Sequence, residues 1–145
     1  MQPNGDFGTR AGIVDAVPVS NGFPEAARIM QVEYLEIVTP DVDAVCSAYA
    51  AMHGVEFSEP DAGLGNARTA ELKNGGKVGV RAPMHESEHP VVRPYLLVND
   101  AEHAAEEAVK NGAQIAHPPM EIPGHGTFAI FIQGGIQYGV WQNAT

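Results

Sequence analysis

The stretch YLEIVTPDVDAVCSAYAAMHG, residues 34–54, decides the fold. Tyr34 to Thr39 alternates like a half-buried strand and stops at Pro40-Asp41. Asp41 is placed to cap a helix, with its carboxylate free to accept backbone N–H bonds. Val42, Val45, Tyr49 and Met52 then recur at i, i+3, i+7 and i+10, one face of that helix, and Gly54 ends it. Strands are expected to follow at 55–58, 66–72 and 77–81. The unit is therefore strand, helix, then three strands.

The rest of the chain repeats this unit at a shift of 58 to 60 residues. Gly54-Val55-Glu56-Phe57 is answered by Gly112-Ala113-Gln114-Ile115, and Arg68–Leu72 by Thr127–Phe131. Gly75-Gly76 followed by Gly79-Val80 is answered by Gly134-Gly135 followed by Gly139-Val140. The second copy gives a strand at 92–98, a helix from Asp100 to Asn111 and strands at 113–117, 126–132 and 136–142. Residues 31–82 and 92–145 are thus two βαβββ modules of one domain, and the Pro- and His-rich segment 83–91 connects them. Residues 1–30 lie outside the repeat, with a weak helical stretch at 24–30. They read as a flexible extension or packed arm, or else as a lid or exchanged arm.

Composition narrows the function. Eight Lys and Arg stand against 18 Asp and Glu, a net charge of −10, which argues against nucleic acid and anionic lipid as partners. The single cysteine, Cys46, makes no internal disulfide and rules out a Cys-rich zinc module. No apolar run approaches the roughly 18–20 residues of a membrane span. The start lacks a basic leader, so a cytoplasmic domain is expected.

The tandem pattern resembles the vicinal oxygen chelate superfamily, which includes glyoxalase I, extradiol dioxygenases and bleomycin-resistance proteins. The resemblance covers about residues 31–142. It rests on Glu36-Ile37-Val38-Thr39-Pro40-Asp41 with Tyr49, and on Glu121-Ile122-Pro123-Gly124-His125-Gly126-Thr127-Phe128-Ala129-Ile130 ending in Gly139-Val140-Trp141-Gln142. The second segment is similar to the last hairpin of a glyoxalase-related, uncharacterised branch. What the resemblance implies is an α+β fold, with eight strands curved into a cup and two helices outside. It also implies homodimers, in which modules of different chains can share a cup.

Period-2 alternation assigns faces in such a cup. Leu35 and Ile37 would face the helix, leaving Tyr34, Glu36 and Val38 inside. Pro94, Leu96 and Val98 would face the second helix, leaving Arg93, Tyr95 and Leu97 inside. Gln137, Gly139 and Trp141 share one face, and so do Lys77, Gly79 and Arg81. Metal-dependent members of the superfamily place His, Glu or Gln at four points, suited to divalent iron, zinc, nickel or manganese. Those points fall here on Tyr34, Gly79, Arg93 and Gly139, none an ordinary ligand, so no metal or other cofactor is expected. A register error of the alignment would bring in Glu36.

Two motifs mislead. His85-Glu86-Ser87-Glu88-His89 matches a zinc-protease string, but Pro83 and Pro90 bracket it, and it reads as a solvated charged loop. Cys46, beside Val42 and Val45, reads as a small buried hydrophobe before a reactive thiolate.

Glu36, Arg93, Tyr95 and His125 remain as candidates for catalysis. Glu36 is either a bridge to Arg93 or Tyr95 joining the modules, or a general base of raised pKa that takes a proton beside a carbonyl. In the second case Arg93 or Tyr95 would steady the enolate-like oxygen. His125, in a loop before a strand, is a solvated side chain or part of a lid. Tyr34, Lys77, Arg81, Phe128, Gln137 and Trp141 are candidate ligand contacts, Phe128 and Trp141 being wall or plain core. Acidic residues gather on the helices (Asp41, Asp43, Asp100, Glu102, Glu106 and Glu107 against Lys110), which leaves Lys77, Arg81 and Arg93 to make the cup positive. The expected function is glyoxalase-like isomerase or lyase chemistry, metal-independent, on a small carbonyl-bearing or anionic molecule. The alternative is a binding protein that sequesters such a molecule.

Overall fold

The computed structural model describes residues 30–145, so the reading of the N-terminal extension lies, up to residue 29, outside the described residues. Among them the chain is α+β, with a seven-stranded mixed sheet that is curled but not closed. The elements are β1 (Val32–Val38), α1 (Val42–His53), β2 (Arg68–Glu71), β3 (Lys77–Arg81), β4 (Val91–Leu97), α2 (Ala101–Lys110), β5 (Gln114–Ile122), β6 (Gly126–Gln133) and β7 (Ile136–Asn143). The strand order is β2-β3-β1-β4-β7-β6-β5. The module-opening strands β1 and β4 meet antiparallel at the centre, with Tyr34 opposite Tyr95 and Glu36 opposite Arg93. Each is flanked by the last strand of its own module, running parallel: β3 beside β1, β7 beside β4.

One expected strand is missing, which leaves seven rather than eight. Residues 55–58 form no ladder; only the Ser58 N–H reaches Thr69 O, at 2.8 Å. The Ser58 hydroxyl itself accepts the Thr69 N–H at 3.0 Å, occupying the donor that a partner strand's carbonyl would need. Pro60 then removes the next backbone donor. Val55 and Phe57 still pack against the cluster of Ile37, Cys46, Ala70, Val78 and Val80.

The helices form for different local reasons. Asp100 is extended (φ −154°, ψ 101°), and its carboxylate accepts the His103 N–H at 3.0 Å, capping α2. Asp41 stands at the start of α1 with φ −106° and ψ 51°, and its side chain makes no cap. Gly54 closes α1 in the left-handed region at φ 69°, its N–H bound to Ala50 O. Met52, expected on the inner face, is exposed.

Two apolar layers lie between helices and sheet. Under α1 are Ile37, Val78 and Val80 with Cys46, and Leu35, Val42, Val45 and Tyr49 pack around them. Under α2, Ala101, Ala104 and Ala105 lie close on Val98, Ala129, Phe131 and Val140, the small side chains letting the helix approach the sheet. A third cluster occupies the opposite, concave face: Tyr34, Tyr95, Trp141, Leu64 and Ala67. The alternation therefore puts Leu35 and Ile37 under α1, Val98 under α2, and Tyr34, Glu36, Arg93, Tyr95 and Trp141 on the concave face, as the sequence predicts. No described helix is long and apolar enough to cross a membrane.

Candidate functional site

The concave face holds a cavity of about 330 Å³. Its floor is the crossing of β3, β1 and β4, where strand pairing sets Glu36 between Gly79 and Arg93. Glu36 Oε2 accepts from Arg81 Nε at 2.7 Å. Its Oε1 accepts from Arg93 Nη1 and, at 2.8 Å, from the Tyr95 hydroxyl. Arg81 continues outward to Glu88, with Nη1 and Nη2 donating to its two carboxylate oxygens at 3.0 and 2.6 Å. Glu88 also accepts the Met84 N–H at 2.7 Å. Arg93 Nε is held by Gln137 Oε1 at 3.1 Å.

Glu36, Arg81 and Arg93 are all buried. A buried charge is tolerated only when paired and hydrogen-bonded, and here each one is. Burial works against the charge on Arg81, but hydrogen bonds to Glu88 and Glu36 more than offset it, and its pKa is raised. The Arg81 hydrogen bond, working against burial, brings the Glu88 carboxyl down to about 2. Burial, and then the Glu36 charge, push the Tyr34 and Tyr95 phenols well above their ordinary value, so both stay protonated.

The walls are apolar. Tyr34 stacks on Trp141, with ring centroids 5.3 Å apart. Phe128 packs edge-on to Tyr95 at 6.1 Å and lies against the His117 imidazole at 4.9 Å. Leu64, Met84 and Ile130 complete them.

Tyr34, Glu36, Arg81, Arg93, Tyr95, Phe128 and Trp141 thus come together as the sequence predicts. Lys77, His125 and Gln137 do not border this cavity. Lys77 and His125 line a separate recess of about 180 Å³, and Tyr34, Leu64 and Trp141 border both. His125 Nε2 lies 3.2 Å from Asp61 Oδ2, tying the β5–β6 turn to the short turn at Ala62–Leu64. Gln137 touches the site through Arg93.

Two expectations change, and the contacts of Glu36 match one of its two readings. The cup is not positive, because Arg81 and Arg93 face Glu36 and Glu88, and Lys77 lies elsewhere. Glu36 stands as the bridge between the modules, its oxygens taken by both arginines and Tyr95. The loop 85–89 is not helical and its histidines are exposed, but Glu88 is turned inward onto Arg81. Glu88 and His117 are the residues that sequence reasoning missed. Nothing local marks Glu88, and register shifts on both sides of His117 take it out of a period-2 count along β5.

The residues at the four metal points do not fit a metal. A Cβ on Gly79 would overlap the Tyr34 hydroxyl, and one on Gly139 would overlap the Tyr95 ring, so tyrosines fill the space a ligand side chain needs. Arg93 brings a positive charge, and Glu36, the neighbouring carboxylate, is bound to guanidiniums. Among the described residues no group of three or more His, Cys, Asp or Glu is placed to hold an ion.

No protein-family model matches the sequence, and no curated protein does. Solved structures do match in fold. Hypothetical protein BH1468 from Bacillus halodurans C-125 superposes with a TM-score of 0.66 at 14% identity, over 81% of this chain and 97% of its own. A methylmalonyl-CoA epimerase variant from Streptomyces coelicolor, in complex with 2-nitronate-propionyl-CoA, gives 0.61 at 16% identity, over 81% and 99%. Methylmalonyl-CoA epimerase from Mycobacterium tuberculosis gives 0.63 at 13% identity, over 79% and 88%. With a βαββ and a βαβββ module meeting at β1 and β4, the chain shares the fold of these structures.

Proposed function

We propose that the cup binds a small, neutral, carbonyl-bearing molecule with an apolar body, and that holding this molecule is the protein's task. The observation that carries the reading is the pairing of the four charged side chains along the cavity. Two guanidiniums and two carboxylates neutralise one another beneath aromatic and aliphatic walls. A charged ligand would have to break one of those pairs, whereas a carbonyl oxygen can use the N–H donors of Arg93 that Glu36 and Gln137 do not take. The apolar walls suit the remainder of such a molecule. Native mass spectrometry with neutral aryl ketones and their carboxylate analogues tests the reading. The ketones should be retained and the carboxylates should not; retention of the carboxylates alone would overturn it.

A second reading is isomerase or lyase chemistry, in which Glu36 takes a proton beside the carbonyl and Arg93 or Tyr95 holds the resulting oxygen. The likeness to methylmalonyl-CoA epimerase structures supports it. It requires ligand entry to free a Glu36 oxygen from its present donors. Under it, Glu36→Gln abolishes turnover while binding survives; unchanged turnover removes Glu36 as the base. Both readings are metal-independent, and stoichiometric iron, zinc, nickel or manganese in protein purified without added ions would overturn that part. Homodimer assembly belongs to the same proposal on the strength of the family resemblance, and sedimentation velocity measures it.

A further inference from the structure

We propose that His117 selects the ligand of the cup, accepting a hydrogen bond at Nε2 from an O–H or N–H group of the bound molecule. The inference rests on the reading of the cup as a site for a small neutral molecule. Strand β5 pairs with β6 so that His117 lies opposite Ile130 and Met120 opposite Phe128, and all four border the cavity. The imidazole packs on Phe128 with ring centroids 4.9 Å apart, which fixes its plane. His117 Nδ1 is 2.7 Å from the carbonyl oxygen of Pro118. A carbonyl oxygen only accepts, so Nδ1 carries a proton, and in the neutral imidazole the lone pair then lies on Nε2.

The two carboxylates along the cavity are committed, and the unpartnered Tyr34 hydroxyl is itself buried. Glu36 receives Arg81, Arg93 and Tyr95, and Glu88 receives Arg81 and the Met84 N–H. Among the described residues, Nε2 of His117 has no hydrogen-bond partner. A ligand that presents a hydroxyl or amide N–H there gains a bond. One that presents an ether or alkyl group leaves a desolvated acceptor unpaired, which discriminates more strongly than an apolar contact does. The ligand class is therefore a neutral hydroxy- or amino-substituted carbonyl compound, its flat apolar part against Phe128 and Trp141.

Two measurements test this. In the ligand-free protein at neutral pH, long-range 1H–15N NMR should find Nδ1 protonated and Nε2 bare at His117; an Nε2–H tautomer overturns the proposal. Calorimetry then compares meta-hydroxyacetophenone with its O-methyl ether on wild type, His117→Phe and His117→Gln. The hydroxy compound should bind wild type about tenfold tighter, the value of about one hydrogen bond. That ratio should fall to about one in His117→Phe and be partly restored in His117→Gln, whose amide oxygen also accepts. If both probes bind wild type equally, or the preference persists in His117→Phe, His117 is not the selector although the cup still binds carbonyl compounds. If neither probe binds wild type, the carbonyl reading of the cup fails, and this inference with it.

Discussion

Arg81 and Glu88 form a two-pronged ion pair, with N–O distances of 3.0 and 2.6 Å, that fastens the connector between the modules to the floor of the cup. Arg81 belongs to β3 of the first module, and its Nε simultaneously holds Glu36. The connector is thus latched to the same cluster that joins β1 to β4.

The latch has a pH signature. The folded-state pKa of Glu88 is depressed to about 2 from the ordinary 4.5. Its contribution is therefore present above the ordinary value and is lost as pH falls through the folded value. Glu88→Gln should lower stability by about 1–3 kcal/mol at neutral pH. It should also flatten the loss of stability between about pH 4.5 and pH 2. Urea titrations at a series of pH values give both results, and parallel pH profiles for variant and wild type would contradict the latch.

Tyr34 seats its hydroxyl over Gly79, where no Cβ fits, and that hydroxyl is buried without a hydrogen-bond partner among the described residues. Removing it should relieve a desolvated group, so Tyr34→Phe is expected to stabilise the protein by about 1 kcal/mol. Gly79→Ala should destabilise it by about 1–3 kcal/mol through overpacking. Thermal melts of the single and double variants check both. The cost of Gly79→Ala should shrink when Tyr34 is also replaced by Ala.

Replacing Glu36 by Gln removes one negative charge from a cavity where two acids balance two bases. Affinity for a carboxylate probe such as benzoate should rise about tenfold or more in this variant, since one newly uncompensated charge at close range is worth at least about 1.4 kcal/mol. Trp141, the single tryptophan, lines the cavity and reports binding by its fluorescence. An unaltered benzoate affinity would show that the cluster does not set the charge preference.

Cys46 is buried on the inner face of α1, and burial raises its thiol pKa. The thiolate is the nucleophile, so an aromatic disulfide reagent should react far more slowly with native protein than with protein in urea. Equal rates in the two conditions would mean that α1 opens readily.

The sequence by itself determined the repeat, the helices, the resemblance to the superfamily and the inner face of β1 and β4 that carries Tyr34, Glu36, Arg93 and Tyr95. Those features are encoded within a few residues, in alternation of period 2, helical spacing and the turn residues at Gly54, Gly75-Gly76 and Gly134-Gly135. It also brought seven of its ten candidate site residues to one cavity, because strand alternation and the repeat together specify the inner face. The tertiary structure alone decided the charge of that cavity. Glu36 meets partners 45 and 57 residues away, and no local pattern states whether two arginines on one face point at a ligand or at a shared carboxylate. The same holds for Glu88, whose motif suggests a solvated loop until Arg81 is placed beneath it. The lost strand at 55–58 was settled by a side-chain hydroxyl competing for a backbone donor on a strand not yet paired. Local periodicity chooses faces, but electrostatic pairing is fixed only when distant strands are laid side by side.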